Sequence, residues 1–345
     1  MEDSLLEIRD LITAFETERG LVRAVDRVSF SVPKGKTLGI VGESGCGKSV
    51  TAMSIIRLLP QPSGKILQGE VRFKGRDLTR IAPKELRKVR GGEIGVIFQE
   101  PMTALNPVHR IGRQLSECFL LHQRISRRKA WEASIEMLKL VRIPAPEQRM
   151  GDYPHQLSGG MRQRVVIAMA LACRPDLVIA DEPTTALDVT VQAQILSLMK
   201  RLQREMGMSL MLITHDLGVI AENCDEVVVM YAGRVVERAP VRELFARPLH
   251  AYTRGLLSSI PRLETPHKSV LPTIPGMVAS LSEFVPGCRF CQRMERSGPT
   301  LRERPEFIEA RPGHWVEACP ICYHAEDAVV ASGGETEPES QPEAP

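Results

Sequence analysis

The stretch Gly42–Ser49, which runs Gly-Glu-Ser-Gly-Cys-Gly-Lys-Ser, determines the architecture of this 345-residue chain. It fits the phosphate-loop pattern G-x-x-x-x-G-K-[ST], in which glycines let several backbone N–H groups point at one anion. The apolar run Thr37–Val41 before it predicts a buried strand, and Val50–Leu59 after it predicts a helix. These flanks disfavour a glycine-rich turn with a chance lysine. The motif predicts that Lys48 reaches the β- and γ-phosphates of a nucleotide and that Ser49 ligates Mg²⁺.

The composition is that of a soluble globular protein. Charged residues make up 25% and hydrophobic residues 43% of the chain, and the net charge of +3 gives no reason to expect nucleic acid as a partner. No apolar run approaches the roughly 18–20 residues of a membrane-spanning helix, and the acidic first residues argue against a secretory signal. We therefore expect a cytosolic protein, which must rely on separate membrane-spanning subunits if it works at a membrane.

Two adjacent carboxylates follow a second buried strand. The fully apolar run Leu177–Ala180 predicts a parallel strand, and it ends in Asp181 and Glu182. Ligands of open α/β sheets bind at the carboxyl ends of the strands, so a solvated loop pair is the less favoured alternative. Asp181 can hold Mg²⁺, directly or through water, and Glu182 can orient or deprotonate an attacking water.

Two more polar residues end predicted strands. The apolar run Glu93–Phe98 is followed by Gln99, and Ser209–Thr214 is followed by His215. Taken alone, each would more often be a surface or lining residue. Beside a bound nucleotide, Gln99 could touch Mg²⁺ or the attacking water, and His215 could donate a hydrogen bond to the γ-phosphate.

The segment Ser158-Gly159-Gly160 opens a predicted helix, Met161–Ala172. A serine with bare backbone N–H groups at a helix N-terminus makes a second anion site, although simple capping explains the same residues.

Near the N-terminus, Leu5–Phe15 and Ala24–Val32 predict two strands of a small antiparallel sheet. Phe15 could stack on a nucleotide base or be an ordinary core aromatic.

Four of the eight cysteines form two C-x-x-C pairs late in the chain, with 27 residues between Cys291 and Cys319. Four thiolates can hold one tetrahedral zinc or an iron–sulfur cluster, and a cytosolic setting disfavours disulfides. Free thiols are the third alternative. The polar, proline-rich segment between the pairs is not expected to fold without such a staple. The proposed ligands are Cys288, Cys291, Cys319 and Cys322.

The motifs together, in their order along the chain, resemble the ATPase subunit of ABC transporters over about residues 5–265. The motifs that carry this resemblance are the phosphate loop, Gln99, Leu157–Arg164 (Leu-Ser-Gly-Gly-Met-Arg-Gln-Arg), Leu177–Pro183, Ala186–Asp188 and His215. The resemblance implies an α/β fold: an ABC-type P-loop ATPase domain with a mixed sheet core, an antiparallel β subdomain and a helical subdomain. We expect this domain at 1–265 with its helical part at about 100–165, a small cysteine-containing extension at 266–324, and a disordered tail at 325–345.

The same resemblance implies which residues form the ATP site, with ATP and Mg²⁺ as cofactors. Two such subunits pair head to tail, so that ATP lies between the phosphate loop of one and the Ser158 segment of the other. The implied ATP-binding residues are Gly42, Glu43, Ser44, Gly45, Cys46, Gly47, Lys48, Ser49, Val50 and Phe15. The implied catalytic residues are Glu182, His215 and Gln99, and the implied Mg²⁺ ligands are Ser49, Gln99 and Asp181. The residues implied to bind the partner's ATP are Ser158, Gly159, Gly160 and Gln163. Asp188 is implied to lie at the dimer seam.

A narrower resemblance points to the dipeptide, oligopeptide and nickel importer group. It is carried by Asn106-Pro107, Thr184–Leu196, Pro248–Pro261, Pro286–Phe290 and Gly313–Val316. It implies a paralogous ATPase partner, two transmembrane permease subunits, an extracytoplasmic substrate-binding protein, and a peripheral position on the cytoplasmic face of the inner membrane. Members of this group have a C-terminal [4Fe–4S] site, and zinc is the alternative here because only Cys288 and Cys319 match its spacing.

This resemblance favours peptide import, with nickel or another small solute as the alternative substrate. Two other classes fit less well. A soluble, non-transport ABC ATPase would usually carry two cassettes or a long coiled coil, which this chain lacks. A purely regulatory metal-binding module would not need the hydrolytic Glu182 or His215.

Overall fold

The structure, a computed structural model, describes residues 4–18, 20–99, 104–185, 187–261, 270 and 272–324. The strands in these ranges are β1 (Ser4–Thr17), β2 (Gly20–Pro33), β3 (Thr37–Val41), β4 (Gly64–Phe73), β5 (Arg76–Asp77), β6 (Ile94–Ile97), β7 (Leu177–Asp181), β8 (Ser209–Thr214), β9 (Glu226–Tyr231), β10 (Arg234–Pro240), β11 (Phe307–Arg311) and β12 (His314–Glu317). The predicted disordered tail lies outside the described residues, as does Ala186.

The helices in the same ranges are α1 (Lys48–Ile55), α2 (Pro83–Val89), α3 (Ile111–Gln123), α4 (Arg127–Leu140), α5 (Pro146–Arg149), α6 (Gly159–Leu171), α7 (Val189–Met206), α8 (Leu217–Asn223), α9 (Val241–Ala246), α10 (Ala251–Ser258) and α11 (Arg289–Arg293). Short 3₁₀ turns cover Pro154–Gln156, Leu281–Glu283 and Pro299–Leu301.

The first sheet is antiparallel and has the strand order β2-β1-β4-β5. β1 pairs with β2 from Ser4 opposite Pro33 to Thr17 opposite Gly20. The apolar residues of both strands face a shared core, in which Leu6 and Val28 are fully buried. The predicted antiparallel pairing of the first two strands is therefore confirmed.

The second sheet is mixed and has the order β11-β12-β10-β9-β3-β8-β7-β6. The strands from β9 to β6 pair in parallel with their neighbours, whereas β10 pairs antiparallel with β9. β3, β7 and β8 are buried along their whole lengths, as continuous apolar runs require in the middle of such a sheet. Their carboxyl ends share one edge, where the predicted functional residues lie.

The first helix begins and ends earlier than predicted. We expected Val50–Leu59, but α1 covers Lys48–Ile55. The chain leaves the loop at Gly47 with a φ of 101° and enters the helix at once. Arg57 then adopts a left-handed φ of 53°, and Pro60 follows, which disfavours a helical conformation at Leu59.

The helices α3 and α4 follow one another with a short break between them. The Ser126 side chain caps α4 by accepting a hydrogen bond from Lys129 N at 3.3 Å. Both helices pack against α6 through a core that includes the buried Leu115, Leu138 and Val165. This packing fixes the N-terminus of α6, which carries the Ser-Gly-Gly segment.

The segment between the cysteine pairs forms a hairpin that the sequence analysis did not predict. β11 pairs antiparallel with β12, and β12 pairs with β10, with Val316 opposite Glu237. The hairpin lacks an apolar alternation because polar groups fill its buried positions: His314 Nε2 lies 2.7 Å from Glu237 Oε1, and both side chains are buried. The C-terminal extension is thus continuous with the main sheet.

Candidate functional site

The phosphate loop has the tight backbone that its glycines permit. Gly42 and Gly47 have φ angles of 155° and 101°, which disfavour residues with a side chain. A Cβ at Gly42 would lie 2.1 Å from Met230 O, and one at Gly47 would lie 2.7 Å from Ala24 O. Only glycine therefore allows the loop to pack this closely on β2 and β9.

Lys48 folds back over the loop that precedes it. Its Nζ donates hydrogen bonds to Gly42 O at 2.7 Å and to Glu43 O at 3.0 Å, and the residue is only 5% exposed. The positive charge is thus held at the loop rather than extended into solvent. A cation beside a glycine-rich loop at the N-terminus of α1 is suited to bind a polyphosphate.

Asp181 ends β7 in a buried position next to the loop. Burial raises the pKa of Asp181, and the charge of Glu182 raises it further, although a hydrogen bond with Ser49 acts in the opposite direction. The carboxylate atom Oδ1 has no hydrogen-bond partner among the described residues. A buried carboxylate with an oxygen to spare, beside a serine hydroxyl, fits the oxygen ligand set that Mg²⁺ prefers.

Glu182 is held by side chains from three other segments. Gln99 Nε2 donates to Glu182 Oε2 at 2.9 Å, Thr185 Oγ1 donates to the same oxygen at 3.0 Å, and His215 Nδ1 lies 3.0 Å from Oε1. Glu182 also has a φ of 46°, an uncommon backbone conformation for a non-glycine residue and one that concentrates at functional sites.

The hydrogen bonds decide the charge of Glu182. Burial favours its neutral form, but hydrogen bonds from His215 and Thr185 outweigh burial and lower the pKa of Glu182 below its ordinary value. The carboxylate is therefore ionised and oriented near neutral pH, as a base for an attacking water must be. The structure brings together Gln99, Asp181, Glu182 and His215, as predicted; Thr185 was not predicted.

The Ser-Gly-Gly segment lies in a different cleft of the same chain. Ser158 caps α6 by accepting a hydrogen bond from Met161 N at 3.3 Å, and Asp188 caps α7 by accepting one from Val191 N at 2.9 Å. Ser158, Gly159, Gly160, Leu187 and Asp188 line a cleft to which the phosphate loop does not contribute. One chain therefore does not complete the predicted two-sided ATP site by itself.

Two other predicted residues have defined positions. Phe15 is half-buried near the end of β1, where it pairs with Val22 and Gly64 across the sheet. Gln163 is fully buried in α6, and its Nε2 donates to Pro183 O at 2.5 Å. Gln163 thus connects α6 to the loop that follows the two carboxylates.

The four late cysteines converge in one buried cluster. Their Sγ atoms all lie within 4.8 Å of one another, and Cys288, Cys291, Cys319 and Cys322 are at most 2% exposed. None of them forms a disulfide. Burial raises the pKa of the Cys291 thiol, so a bound cation is needed if this group is to be a thiolate in place. The donor set fits a thiolate-ligated metal centre.

Two residues that the sequence analysis missed join this cluster to the phosphate loop. Arg293 NH1 lies 2.6 Å from Glu43 Oε2, and Glu43 N donates to Tyr252 OH at 2.9 Å. These partners lie 250 and 209 residues from Glu43 along the chain. No local pattern could have indicated contacts at such separations.

A phosphate loop, paired carboxylates at strand ends and an oriented glutamate define a P-loop nucleotide hydrolase. Two family models agree with this class. The model described as "ABC transporter" matches residues 25–185, and the model described as "Oligopeptide/dipeptide transporter, C-terminal region" matches residues 236–299.

Curated relatives match nearly the whole chain. The probable peptide ABC transporter ATP-binding protein y4tR of Sinorhizobium fredii is 54% identical over 95% of this chain and 97% of its own length. The oligopeptide transport ATP-binding protein OppD of Bacillus subtilis is 49% identical over 91% of this chain and 88% of its own. The dipeptide transport ATP-binding protein DppD of the same organism is 52% identical over 84% of this chain and 87% of its own length. The chain belongs to the ATP-binding proteins of ABC transporters.

Solved structures agree with the fold. The ATP-binding cassette MJ0796, in a dimeric post-hydrolysis state bound to ADP and Pi, superposes with a TM-score of 0.62 at 28% identity, covering 69% of this chain and 99% of that one. CbiO1 of Clostridium perfringens, part of the cbiONQ transporter complex, gives a TM-score of 0.61 at 27% identity over 71% of this chain and 92% of its own. The predicted fold class is confirmed, and the chain is an ATPase.

The described residues contain no helix with both the length and the apolar character needed to cross a bilayer. As the ATP-binding subunit of a transporter, the chain works at a membrane together with membrane-spanning partners.

Proposed function

We propose that this chain binds and hydrolyses ATP to power the import of dipeptides or oligopeptides. The observation that carries the ATPase assignment is the position of Glu182, which Gln99, Thr185 and His215 hold beside the phosphate loop. The peptide substrate is supported by the transport relatives and by the match of residues 236–299 to the oligopeptide/dipeptide C-terminal region.

The nucleotide is bound by the loop from Gly42 to Val50. Its backbone N–H groups hold the phosphates, and Lys48 exchanges the carbonyl oxygens of Gly42 and Glu43 for phosphate oxygens. Phe15 stacks on the adenine from the end of β1. Ser49, Gln99 and Asp181 hold Mg²⁺, which supplies charge neutralisation for the phosphates when it is bound.

Hydrolysis depends on the residues around Glu182. The ionised carboxylate takes a proton from the attacking water, and His215 holds both the carboxylate and the γ-phosphate. Gln99 links this carboxylate to the surface next to β6. A conformational change at that surface can therefore alter the position of Glu182, and with it that of the attacking water, through the Gln99 side chain alone.

The second side of each ATP site comes from a partner subunit. Ser158, Gly159 and Gly160 bind the partner's ATP, Gln163 fixes α6 behind them, and Asp188 lies at the dimer seam. Since the Ser158 cleft and the phosphate loop of one chain are separate, only a head-to-tail pair closes a complete site. We further propose that the partner is a paralogue, so that the pair is a heterodimer.

The whole assembly contains two permease subunits and an extracytoplasmic substrate-binding protein, with this chain on the cytoplasmic face of the inner membrane. Nucleic acid is not a partner. Within the chain, residues 1–265 form the ATPase domain, with its helical part at about 100–165, and residues 266–324 form the extension that holds the cysteine centre.

The cysteine centre fits one tetrahedral ion better than it fits a cubane cluster. Three Sγ pairs lie 3.6, 3.6 and 3.4 Å apart, close to the edge of about 3.8 Å that four thiolates form around one zinc at about 2.3 Å. Each iron of a [4Fe–4S] cluster takes its own thiolate, which separates the sulfurs more widely. We therefore favour the zinc alternative over the cluster that the family resemblance implies.

Metal analysis after anaerobic purification tests this choice. We expect about one zinc per chain and no visible absorbance. Iron with acid-labile sulfide near four per chain, and absorbance that bleaches on reduction, would instead establish the cluster.

Reconstituted transport tests the function. The chain would be assembled in proteoliposomes with the permeases and binding protein encoded alongside it, and uptake of a labelled dipeptide, a labelled pentapeptide and nickel would be compared. We expect ATP-dependent peptide uptake. Nickel uptake without peptide uptake would establish the alternative substrate, and ATP hydrolysis without any uptake would contradict the transport assignment.

A further inference from the structure

Arg293 connects the cysteine centre to the phosphate loop through a partly buried ion pair. It lies on α11, two residues beyond Cys291, and its NH1 contacts Glu43 Oε2 at 2.6 Å. Its other donors are fixed by backbone carbonyls, with Nε 2.9 Å from Pro275 O and NH2 3.1 Å from Ile274 O. The Arg293 side chain is 6% exposed and that of Glu43 is 32% exposed, so solvent screens the pair less than it would screen one between two exposed side chains.

A second connection reaches the same loop residue from the other cysteine pair. Ala251 N, at the start of α10, donates to Cys322 O at 2.8 Å. The next residue, Tyr252, is fully buried, and its hydroxyl accepts a hydrogen bond from Glu43 N at 2.9 Å. Each cysteine pair is thus linked to Glu43 through a nearby residue, the first through Arg293 at its side chain and the second through Tyr252 at its backbone N–H.

An aromatic cluster packs the two connections together. Phe290, which lies between the first two cysteine ligands, has its ring centroid 5.7 Å from that of Tyr252 and 5.5 Å from that of Tyr231. Tyr231 and Tyr252 are 4.5 Å apart. These rings form part of the same buried core as all four cysteines. The centre and the two contacts on Glu43 therefore move as one packed unit.

We propose that Arg293 and Tyr252 are positioning residues that couple the cysteine centre to the phosphate loop, so that a loaded centre strengthens ATP binding and bound ATP slows loss of the metal. The proposal rests on the ATP site described above. It assigns the C-terminal extension a role in the nucleotide site of its own chain, beyond holding a metal.

The physical basis is the order that the phosphate loop needs. Several N–H groups must converge on one anion, and Glu43 is the second residue of the loop, so fixing both its backbone and its side chain selects the binding conformation. Without metal, the four buried thiols lose the ligation that holds α11 and the loop before α10 in place. By linkage, any effect of the metal on ATP affinity is matched by an equal effect of ATP on metal affinity.

Metal release gives a readout that does not depend on hydrolysis. The full-length protein with its native metal would be mixed with a chromogenic chelator that detects zinc and ferrous iron, with and without a saturating non-hydrolysable ATP analogue. We expect the analogue to slow release by about fivefold or more in the wild-type protein. Glu43→Gln removes the ion pair and Tyr252→Phe removes one hydroxyl, and each variant should lose most of this slowing.

A double-mutant cycle separates coupling from general damage. Without nucleotide, the double variant should release metal no faster than Arg293→Gln alone, because Glu43→Gln then has no ion pair left to break. Arg293→Gln should release metal faster than Glu43→Gln, since it also loses the contacts with Pro275 O and Ile274 O. Arg296→Gln, at an exposed arginine three residues beyond Arg293, is the matched control and should release metal like the wild type.

Three results would overturn the coupling. Equal slowing by the analogue in the wild type and in both Glu43→Gln and Tyr252→Phe would show that ATP acts on the centre by another route. Analogue binding that leaves wild-type release unchanged would refute the coupling while leaving the ATPase intact. A wild-type protein that binds no analogue would overturn the proposed function, and the coupling with it.

Discussion

Glu182 and Asp181 are adjacent residues with opposite electrostatic environments. Burial raises the pKa of Asp181, whereas hydrogen bonds from His215 and Thr185 outweigh burial and lower the pKa of Glu182. Neighbouring carboxylates with pKa values moved apart are suited to different roles. Asp181 is suited to be a cation ligand, because its buried negative charge is unfavourable until a cation binds. Glu182 is suited to be a base, because it is already ionised before the water binds.

The cost of burying Asp181 leads to a stability prediction. Asp181→Asn should raise the thermal midpoint of the nucleotide-free protein near neutral pH by on the order of 2 °C, because a buried charge is removed. Since the folded-state pKa is raised, the gain should be full above that pKa and should disappear as the pH falls below the ordinary value of 3.8. Calorimetry across this pH range measures it; a gain that grows as the pH falls would contradict the assignment.

Lys48 provides a test of the phosphate loop. Lys48→Ala should weaken ATP binding by about tenfold or more, because it removes a charged donor at the phosphates. The control is Lys65→Ala, at an exposed lysine paired with Glu16 on the antiparallel sheet. Titration with a fluorescent ATP analogue measures both affinities, and an unchanged affinity of Lys48→Ala would count against the loop assignment.

At the residue scale, the sequence predicts contacts that follow from strand ends and misses contacts that depend on tertiary packing. Gln99, Glu182 and His215 each follow a recognisable apolar run, so their convergence could be predicted from the common edge of a parallel sheet. Tyr252 and Arg293 reach the same region from positions 209 and 250 residues further along the chain. Their contacts with Glu43 depend on tertiary packing, which no local pattern specifies.

At the scale of the elements, the N-terminus of α6 carries the Ser-Gly-Gly segment that we propose to bind the partner's ATP. The Ser158 cap and the glycines leave backbone N–H groups accessible at a cleft, and the helix is held from behind by the buried Gln163. A Cβ at Gly160 would lie 2.8 Å from Val191 Cγ1, so the start of α6 packs tightly against α7. The position of the Ser-Gly-Gly segment is therefore set by the packing of α6 against α7.

Ser158→Ala tests the role of the Ser-Gly-Gly segment independently of the phosphate loop. It should leave ATP binding to the phosphate loop unchanged but weaken ATP-driven pairing, because in the proposed head-to-tail pair the Ser158 hydroxyl faces the partner's nucleotide. The lost cap itself costs about 1 kcal/mol of stability. Ser126→Ala, which removes the cap of α4, is the matched control. Sedimentation with and without ATP measures pairing, and ATP-driven pairing equal to that of the control would contradict the assignment.

The two sheets show which elements a sequence reveals. β7 is a continuous apolar run and was predicted almost to the residue, since its burial on both faces leaves no room for polar groups. β12 was missed because two of its buried positions are polar: His314 forms a hydrogen bond with Glu237, and Glu317 forms an ion pair with Arg234. Periodicity detects apolar burial and does not detect polar burial.

At the scale of the whole molecule, we propose that a permease docks on the apolar groove next to Phe98. It is lined by Leu58, Val96, Phe98 and Ala104, of which Leu58 is 42% and Phe98 39% exposed. Phe98 precedes Gln99, and Gln99 contacts Glu182. A membrane-spanning partner seated here would lie one side chain from the catalytic carboxylate, which is the arrangement that coupling of transport to hydrolysis requires.

Leu58→Asp tests this groove. We expect loss of co-purification with the permeases, because a charge would be buried in an apolar contact, with ATP binding unchanged. Leu67→Asp, at a leucine of equal exposure (44%) on the antiparallel sheet, is the matched control. Retention of the permeases by Leu58→Asp to the same extent as by Leu67→Asp would exclude the groove as the docking surface.

The most direct test of the account is the steady-state ATPase rate of Glu182→Gln, measured beside its ATP affinity. The amide keeps the shape of the side chain but cannot take a proton from water. We predict unchanged ATP binding, a rate lower by about a hundredfold or more, and ATP-bound pairs that persist. A variant that hydrolyses ATP at the wild-type rate would contradict the role of Glu182 and, with it, the mechanism proposed for this ATPase.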